Sequence, residues 1–169
     1  MATLPIHVFP DPVLFRPAEP VDRVGAAERK LCRNMLETLY PARGIGLAAP
    51  QVGVSVRITV IDLNPPGLGN DPLVLVNPVI VAREGEIVWD EGCLSLPGFR
   101  SEMKRTAEIR VRALDPEGGE IEFDARNLLA VVIQHEIDHF EGRLLIDAAG
   151  RLRRNLYLRK LRKTQREDS

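Results

Sequence analysis

One predicted helix constrains the fold of this chain more than any other segment. It must be buried, and yet it carries ionisable side chains. The apolar run at residues 128–133 leads directly into QHEIDH at residues 134–139. Because its middle turns have no polar face, we expect this helix, over residues 124–140, to lie at the centre of the domain. Asp124 is the predicted N-cap and Gly142 the predicted stop. Buried histidines and carboxylates are costly unless they are satisfied, so the helix indicates a functional site.

Around this helix the sequence predicts an α+β fold, in which antiparallel β-sheets are joined by an N-terminal and a C-terminal helix. Apolar residues at fourfold spacing predict the N-terminal helix at residues 25–40, in which Cys32 is a packing residue. Strands are predicted at residues 54–62, 73–82 and 86–90, with a turn at residues 63–71 and a later hairpin that pairs residues 107–113 with residues 121–123. Five prolines among the first twenty residues predict an irregular arm, and the C-terminal helix is predicted at residues 151–163.

Charge is divided unequally along the chain. The 169 residues suit one globular domain, with a formal net charge of −1. Residues 151–169 hold eight basic and two acidic residues, a net of +6, which leaves −7 on residues 1–150. We therefore predict a main domain at residues 1–150 and a basic C-terminal helix and tail at residues 151–169, which either meets an anionic partner or is simply solvated. The chain shows neither an apolar run of membrane-spanning length nor the apolar core of a signal peptide, so we expect a cytoplasmic protein.

Two histidines four residues apart supply part of a metal site. On a helix, His135 and His139 lie one turn apart on the same face, so both imidazoles can reach one cation. Glu136 lies beside the first of them and can accept a proton from water acidified by that cation, as hydrolysis at neutral pH requires. The third ligand is either Cys93, in the tight turn of EGCLSLPG, or a carboxylate, because His7 belongs to the proline-rich arm. Two imidazoles and a thiolate would leave one coordination position open for catalysis.

A glycine-rich segment, GIGLAAPQVG at residues 44–53, is a further candidate. Its glycines allow the backbone to run close against a ligand, and the Gln51 amide can donate a hydrogen bond to a developing oxyanion. Taken alone, the segment is more typical of a connection in which Gln51 faces solvent.

Three segments in this order resemble the signature motifs of the peptide deformylase family. They are GIGLAAPQVG at residues 44–53, EGCLSLPG at residues 91–98 and QHEIDHFEG at residues 134–142. The opening FPDPVLFRPAEPV is similar to the N-terminal arm of that family, so the resemblance spans most of residues 5–147. It implies an α+β fold with antiparallel sheets around a central helix that bears both histidines, and it makes residues 1–150 the catalytic domain.

The resemblance implies a metal-dependent hydrolase of protein biosynthesis that acts in N-terminal processing. Such an enzyme removes the formyl group from formyl-methionyl nascent polypeptides and releases formate. The matching motif positions imply that Cys93, His135 and His139 hold Fe²⁺, while Glu136 of the HExxH motif handles the proton. The ligand types alone accept Zn²⁺, Ni²⁺ or Co²⁺ as well, so only the resemblance favours iron.

The resemblance also implies how the oxygen of the tetrahedral intermediate is stabilised. Gln51 and the backbone N–H of Leu94 would donate to it, and Gly46 would line the substrate cleft through its backbone. Gly98 and Phe99 follow the second motif where relatives vary. We expect these two residues to affect the rim of the cleft and substrate preference but no catalytic position.

An apolar pocket is expected for the methionine side chain of the substrate. The candidates are Ile45, Leu128 and Val131, for which ordinary core packing is an equal alternative. Glu91 and Arg100 are expected nearby, for the backbone or terminal groups of the peptide.

Two other functions compete with this interpretation. The first is a zinc endopeptidase of the HExxH type, but Glu141 follows His139 too closely to match the usual spacing of its third ligand. The second is a non-enzymatic binding module in which the metal is structural and the basic tail binds ribosomal RNA. In the enzyme interpretation the tail is expected to dock at the ribosome, with no DNA or membrane partner.

Overall fold

The structure is a computed structural model that describes residues 2–64 and 68–167. Residues 65–67 of the predicted turn and residues 168–169 of the predicted tail lie outside the described residues. The helices are α1 (Ala26–Ala42), α2 (Asn127–Phe140) and α3 (Arg151–Glu167). The strands are β1 (Gly46–Ala48), β2 (Ile58–Ile61), β3 (Leu73–Glu84), β4 (Ile87–Gly92), β5 (Arg100–Arg105), β6 (Glu108–Leu114) and β7 (Glu120–Arg126).

The strands form two antiparallel sheets, as predicted for an α+β fold. The larger sheet has the order β1-β2-β3-β6-β7, and β4 and β5 form a separate hairpin. In β6, Ile109 and Val111 are buried while Arg110 and Arg112 face solvent, because alternate side chains point to opposite faces of a strand. The predicted α+β architecture is therefore confirmed.

Helix α2 lies against the larger sheet at the centre of the domain. Ala130 and Ile133 have no exposed surface, and Ile133 packs with Ile109 and Val111 of β6. Leu128, in the first turn, is only partly buried because it borders the cleft described below. The predicted burial of this helix is confirmed for its middle turns.

The predicted start of α2 is wrong. Asp124 is not an N-cap but a residue of β7, where its carboxylate accepts hydrogen bonds from Arg110 across the sheet. The ladder between β6 and β7 continues to the pair Glu108 and Arg126, so the helix begins only at Asn127. Gly142 follows the helix with φ +68°, where a side chain would meet the backbone of Phe15, and the predicted stop is confirmed.

Two strand predictions differ from the structure. The strand expected over residues 54–62 is shorter, because Ser55 and Arg57 bond to the backbone of Glu19 in the N-terminal arm. Strand β5 was not predicted at all. Its sequence RSEMKR is strongly polar, and its pairing with β4 depends on a neighbour that periodicity does not reveal.

The irregular arm and α3 converge on the turn that follows β4. The arm donates from His7 N to Gln51 O and from Phe9 N to Ser95 O, both at 2.8 Å. The Phe9 ring also packs against Tyr157 of α3, with centroids 6.2 Å apart. α3 extends four residues beyond its predicted end, and the division at residue 150 stays a prediction. Among the described residues, no helix has the length and apolarity needed to cross a membrane.

Candidate metal centre

The side chains of Cys93, His135 and His139 converge at one point. The Cys93 Sγ lies 3.5 Å from His139 Nε2, and the two Nε2 atoms are 3.3 Å apart. All three ligand atoms lie within 4.8 Å of one another. A tetrahedral shell with usual metal–sulfur and metal–nitrogen bond lengths has edges of about 3.6 Å and about 3.4 Å. The three side chains therefore fit a single transition-metal ion.

The secondary structure explains this convergence. The helical spacing of four residues brings the two imidazoles of α2 onto one face. Cys93 lies directly after the last residue of β4, in a turn closed by a hydrogen bond from Leu96 N to Cys93 O. The hairpin of β4 and β5, and not the larger sheet, therefore places the Cys93 sulfur beside α2.

A network of charged groups orients His135 behind the centre. His135 Nδ1 donates to Glu91 Oε2 at 2.9 Å, which leaves Nε2 free for the ion. Arg105 donates twice to Glu91, at 2.7 and 2.9 Å, and once to Asp138 at 2.7 Å. Burial favours a higher pKa for Glu91, but the bonds from Arg105 and His135 outweigh it and lower the pKa. Glu91 is therefore a carboxylate that fixes the imidazole.

Burial and neighbouring groups shift the pKa values of the two histidines in opposite directions. Burial opposes protonation of His135, but hydrogen bonds to Cys93 and Glu91 raise its pKa well above the usual value. Burial lowers the pKa of His139 well below the usual value, and the neighbouring His135 adds to this effect. The two imidazoles that converge on this point therefore lie in different electrostatic surroundings.

Glu136 is buried beside the ligands with an unused oxygen. Its side chain is 3% exposed, and among the described residues its Oε2 and the Nδ1 of His139 have no hydrogen-bond partner. Burial raises the pKa of Glu136 to about 7. Because an unpartnered buried polar atom is costly, this oxygen is suited to a ligand or water that enters the site.

Gln51 is held with its amide nitrogen directed at the same centre. Its Oε1 accepts from Ala48 N at 2.9 Å, while its Nε2 donates to Ser95 Oγ at 3.1 Å and lies 3.6 Å from Cys93 Sγ. The residue is 1% exposed, so the alternative in which it faces solvent is wrong. Both bonds leave the amide little freedom to rotate.

The centre opens into a cleft with a cavity volume of about 520 Å³. The predicted site residues that line it are Ile45, Gly46, Gln51, Glu91, Cys93, Leu94, Arg100, Leu128, Val131, His135 and Glu136. His139 is not among the lining residues and is 2% exposed. Within the cleft Val131 is buried, whereas Ile45 is 41% exposed. Arg100 donates to Asp90 at 2.7 and 2.8 Å, so its guanidinium is already partnered.

Sequence reasoning missed several residues around the cleft. Trp89 and Val132 line it, and Arg105 and Asp138 hold Glu91 and His135 in place from behind. Asp138 lies inside the motif QHEIDH and was visible there as a polar residue on a buried helix. Arg105 had no such signal, because it belongs to the polar strand that was not predicted.

An α+β fold that brings a cysteine sulfur, two imidazoles and a buried glutamate together at the base of one cleft is that of a metal-dependent hydrolase. The model of the polypeptide deformylase family matches residues 3–155. A peptide deformylase of Thermodesulfovibrio yellowstonii is 49% identical over 162 residues, which cover 96% of this chain and 98% of that protein. One of Alkalilimnicola ehrlichii is 50% identical over 167 residues, which cover 99% and 93%.

Solved structures agree with these sequence comparisons. A peptide deformylase from Legionella pneumophila superposes with a TM-score of 0.90 at 41% identity, over 98% of this chain and 97% of that one. One from Ehrlichia chaffeensis, in complex with actinonin, gives a TM-score of 0.92 at 36% identity, over 98% and 99%. The chain belongs to the peptide deformylase family.

Proposed function

We propose that Cys93, His135 and His139 hold the catalytic metal of this enzyme, which removes the formyl group from formyl-methionyl nascent polypeptides and releases formate. The observation that carries the assignment is the convergence of one sulfur and two imidazole nitrogens beside a buried, unpartnered carboxylate oxygen. When bound, the metal supplies a Lewis acid that acidifies water and polarises the formyl carbonyl.

Glu136 is the proposed proton carrier. Its carboxylate takes a proton from the attacking water as the new carbon–oxygen bond forms at the formyl carbon. It then gives that proton to the departing amine nitrogen as the carbon–nitrogen bond breaks. A carboxyl group whose pKa is raised to about 7 can both accept and release a proton near neutral pH.

Gln51 and the backbone N–H of Leu94 are the proposed donors to the developing oxyanion. Gln51 Nε2 already points toward Cys93, and its position is fixed by Ala48 and Ser95. Preorganised donors cost no reorganisation when the charge forms, and removing one lowers kcat on the order of 100- to 1,000-fold.

The decisive experiment compares Glu136→Gln with wild type in a formate-release assay on formyl-Met-Ala-Ser, with metal content measured in parallel. The variant should keep its metal and lose nearly all turnover, whereas Glu122→Gln on the exposed face of β7 should behave as wild type. Substantial activity in a metal-loaded Glu136→Gln protein would show that the proton carrier is another group. Cleavage of casein at internal peptide bonds would instead support the endopeptidase.

We propose Fe²⁺ as the native metal, on the strength of the family resemblance. A thiolate with two imidazoles also accepts Zn²⁺, Ni²⁺ and Co²⁺. Anaerobic purification followed by metal analysis should find iron. Activity of that protein should be lost in air and kept when Ni²⁺ replaces iron, because the iron–thiolate pair is the oxygen-sensitive part. Zinc in the anaerobic protein, with full activity in air, would rule iron out.

The methionine side chain is proposed to bind between Ile45, Leu128 and Val131, the apolar candidates that line the cleft. Because Glu91 Oε1 accepts from Arg105 and Oε2 accepts from both Arg105 and His135, we assign Glu91 to orienting the metal ligand. Gly46 is assigned to the cleft wall and Arg100 to its rim.

The outward face of α3 is proposed to dock the enzyme at the ribosome, in the cytoplasm where nascent chains emerge. Leu152 and Leu156 are 73% and 52% exposed, beside the basic residues Arg159 and Arg162. Arg159→Glu combined with Arg162→Glu should weaken ribosome binding, and the loss should shrink as salt rises. The same charge change at Lys30 and Arg33 of α1 is the control. If both double variants bind the ribosome equally well, the docking proposal is wrong.

A further inference from the structure

Helix α3 packs on the segment that forms one rim of the cleft. This rim segment, residues 97–100, connects the turn after Cys93 to strand β5, of which Arg100 is the first residue, and all four of its residues line the cleft. Tyr157 of α3 is 6% exposed and donates from its hydroxyl to Pro97 O at 2.9 Å. Its ring also meets the Phe99 ring edge-on, with centroids 5.3 Å apart.

Arg153, one turn earlier in α3, holds the other end of the rim segment. Its guanidinium donates to Arg100 O at 2.6 Å and lies 3.4 Å from Ser101 Oγ. The same group lies over the Phe99 ring, 5.2 Å from the centroid. Helix α3 therefore contacts the rim segment at both ends and through the aromatic side chain between them.

The turn that carries the catalytic groups is held by different contacts. Ser95 accepts from Phe9 N through its carbonyl and from Gln51 through its hydroxyl, and Leu96 N donates to Cys93 O. None of these bonds involves α3. The Tyr157 ring does share an apolar cluster with Phe9, Leu96 and Cys93. A variant that removes only the Tyr157 hydroxyl keeps this packing, so it should loosen the rim segment while Cys93 and its neighbour Leu94 keep their positions.

We propose that Arg153 and Tyr157 are positioning residues that set the rim segment for the part of the peptide beyond the formylated methionine. The proposal rests on the deformylase function of the cleft. Among the described residues, neither side chain forms a hydrogen bond with a proposed metal ligand, Glu136 or Gln51. Their effect should therefore appear in the binding of longer substrates and not in the chemical step.

The test is steady-state kinetics of metal-loaded full-length variants on formyl-Met-Ala-Ser and on formyl-methionine amide. Tyr157→Phe removes one hydroxyl, and Arg153→Gln removes the charge. Each should raise KM for the tripeptide by about threefold or more, leave kcat within about twofold, and leave KM for the short substrate unchanged. Arg153→Lys should restore much of the loss, because it keeps a charged donor. Arg112→Gln on β6 makes the same chemical change far from the rim and should behave as wild type.

Two results would overturn the proposal. Equal KM values for the variants and wild type on the tripeptide would mean that α3 only covers the core. An equal change on both substrates, or a fall in kcat, would mean that α3 acts on the whole site. Failure of wild-type protein to release formate would instead reject the deformylase function itself, so the two failures are distinguishable.

Discussion

Gly46 lies where the wall of the cleft comes closest to Glu136. A Cβ at this position would collide with the carboxylate of Glu136 and would lie 3.0 Å from Val132. The backbone of Gly46 does not require a left-handed conformation, so the need for glycine is purely steric. The space left by the missing side chain is what allows Glu136 to sit buried and unpartnered beside the ligands.

Gly46→Ala should therefore displace Glu136 and lower kcat/KM on the order of 100-fold, as small misplacements of catalytic groups do. Gly150→Ala is the matched control, because a Cβ there meets nothing within 4 Å. Formate release and metal content should be measured for both proteins. Wild-type activity in the Gly46→Ala protein would contradict the steric role.

Arg105 supports the proposed metal centre through its hydrogen bonds to Glu91 and Asp138. Lysine keeps the charge but cannot donate to both partners in the planar arrangement that arginine uses. Arg105→Lys should weaken metal binding by about 10- to 100-fold, measured by competition with a chelator. Arg110→Lys, at an exposed pair on β6, should leave metal affinity unchanged. If the two variants bind metal equally, the network does not tune the centre.

The proposed ligands could be predicted from sequence because their signal is local. His135 and His139 lie one turn apart on α2, a spacing that the sequence shows directly. The residues alone left the third ligand open between Cys93 and a carboxylate, and the resemblance to the family favoured Cys93. Arg105 could not be predicted, since its contact with Asp138 joins positions 33 residues apart across two elements. Such a pairing has no periodicity to reveal it.

Helix α2 is tied to the segment between β5 and β6 by the Gln134 side chain. Its Oε1 accepts from Thr106 N at 3.0 Å, and its Nε2 donates to Thr106 O at 2.8 Å. The Gln134 amide satisfies both backbone groups of Thr106, which a neighbouring strand would otherwise do. This contact fixes the position of α2, which carries two of the proposed metal ligands, relative to the hairpin that precedes Cys93.

Gln134→Leu should leave both backbone groups of Thr106 unsatisfied and lower the free energy of unfolding by about 2–4 kcal/mol. Asn155→Leu makes a similar change at an exposed position of α3 and should shift it by no more than about 0.5 kcal/mol. Urea unfolding of the metal-loaded proteins measures both. An unfolding free energy of Gln134→Leu equal to that of wild type would show that water replaces the amide.

At the scale of elements, the predictions succeeded where hydrophobic periodicity was strong and failed where pairing decides the structure. Helix α1 and strands β3 and β6 begin within a residue of their predicted starts. Asp124 was assigned to the helix because a capping residue and an exposed strand residue look alike in sequence. In the structure, Asp124 belongs to β7 and pairs with Arg110 across the sheet, a contact that the sequence does not reveal.

The whole molecule contains two free thiols in different environments, Cys32 in α1 and Cys93 at the proposed metal centre. Burial raises the pKa of Cys32 to about 11, so at pH 8 only about 0.1% of it is thiolate, the reactive form. Cys93 is only partly buried and should be protected by the metal alone.

The native metal-loaded protein should therefore show no thiol that reacts with a disulfide reagent at pH 8. Chelation of the metal should expose one thiol, and denaturation should expose both. Because the thiolate fraction of Cys32 grows tenfold per pH unit below its pKa, its reaction in chelated protein should become faster as the pH rises toward 11. The Cys32→Ala protein is the control. Reaction of Cys93 at full metal occupancy would contradict its assignment as a ligand.

α3 follows every proposed catalytic residue in the chain, so these residues are synthesised before the helix that packs on the rim segment. Translation runs from the N-terminus, so Cys93, Glu136 and both histidines leave the ribosome before Tyr157. A nascent copy elongated only through α2 has all of its proposed metal ligands but not the helix that secures the rim segment. A chain cut short after α2 would thus keep the residues proposed for the chemistry and lose the two side chains proposed to set the rim segment for longer peptides.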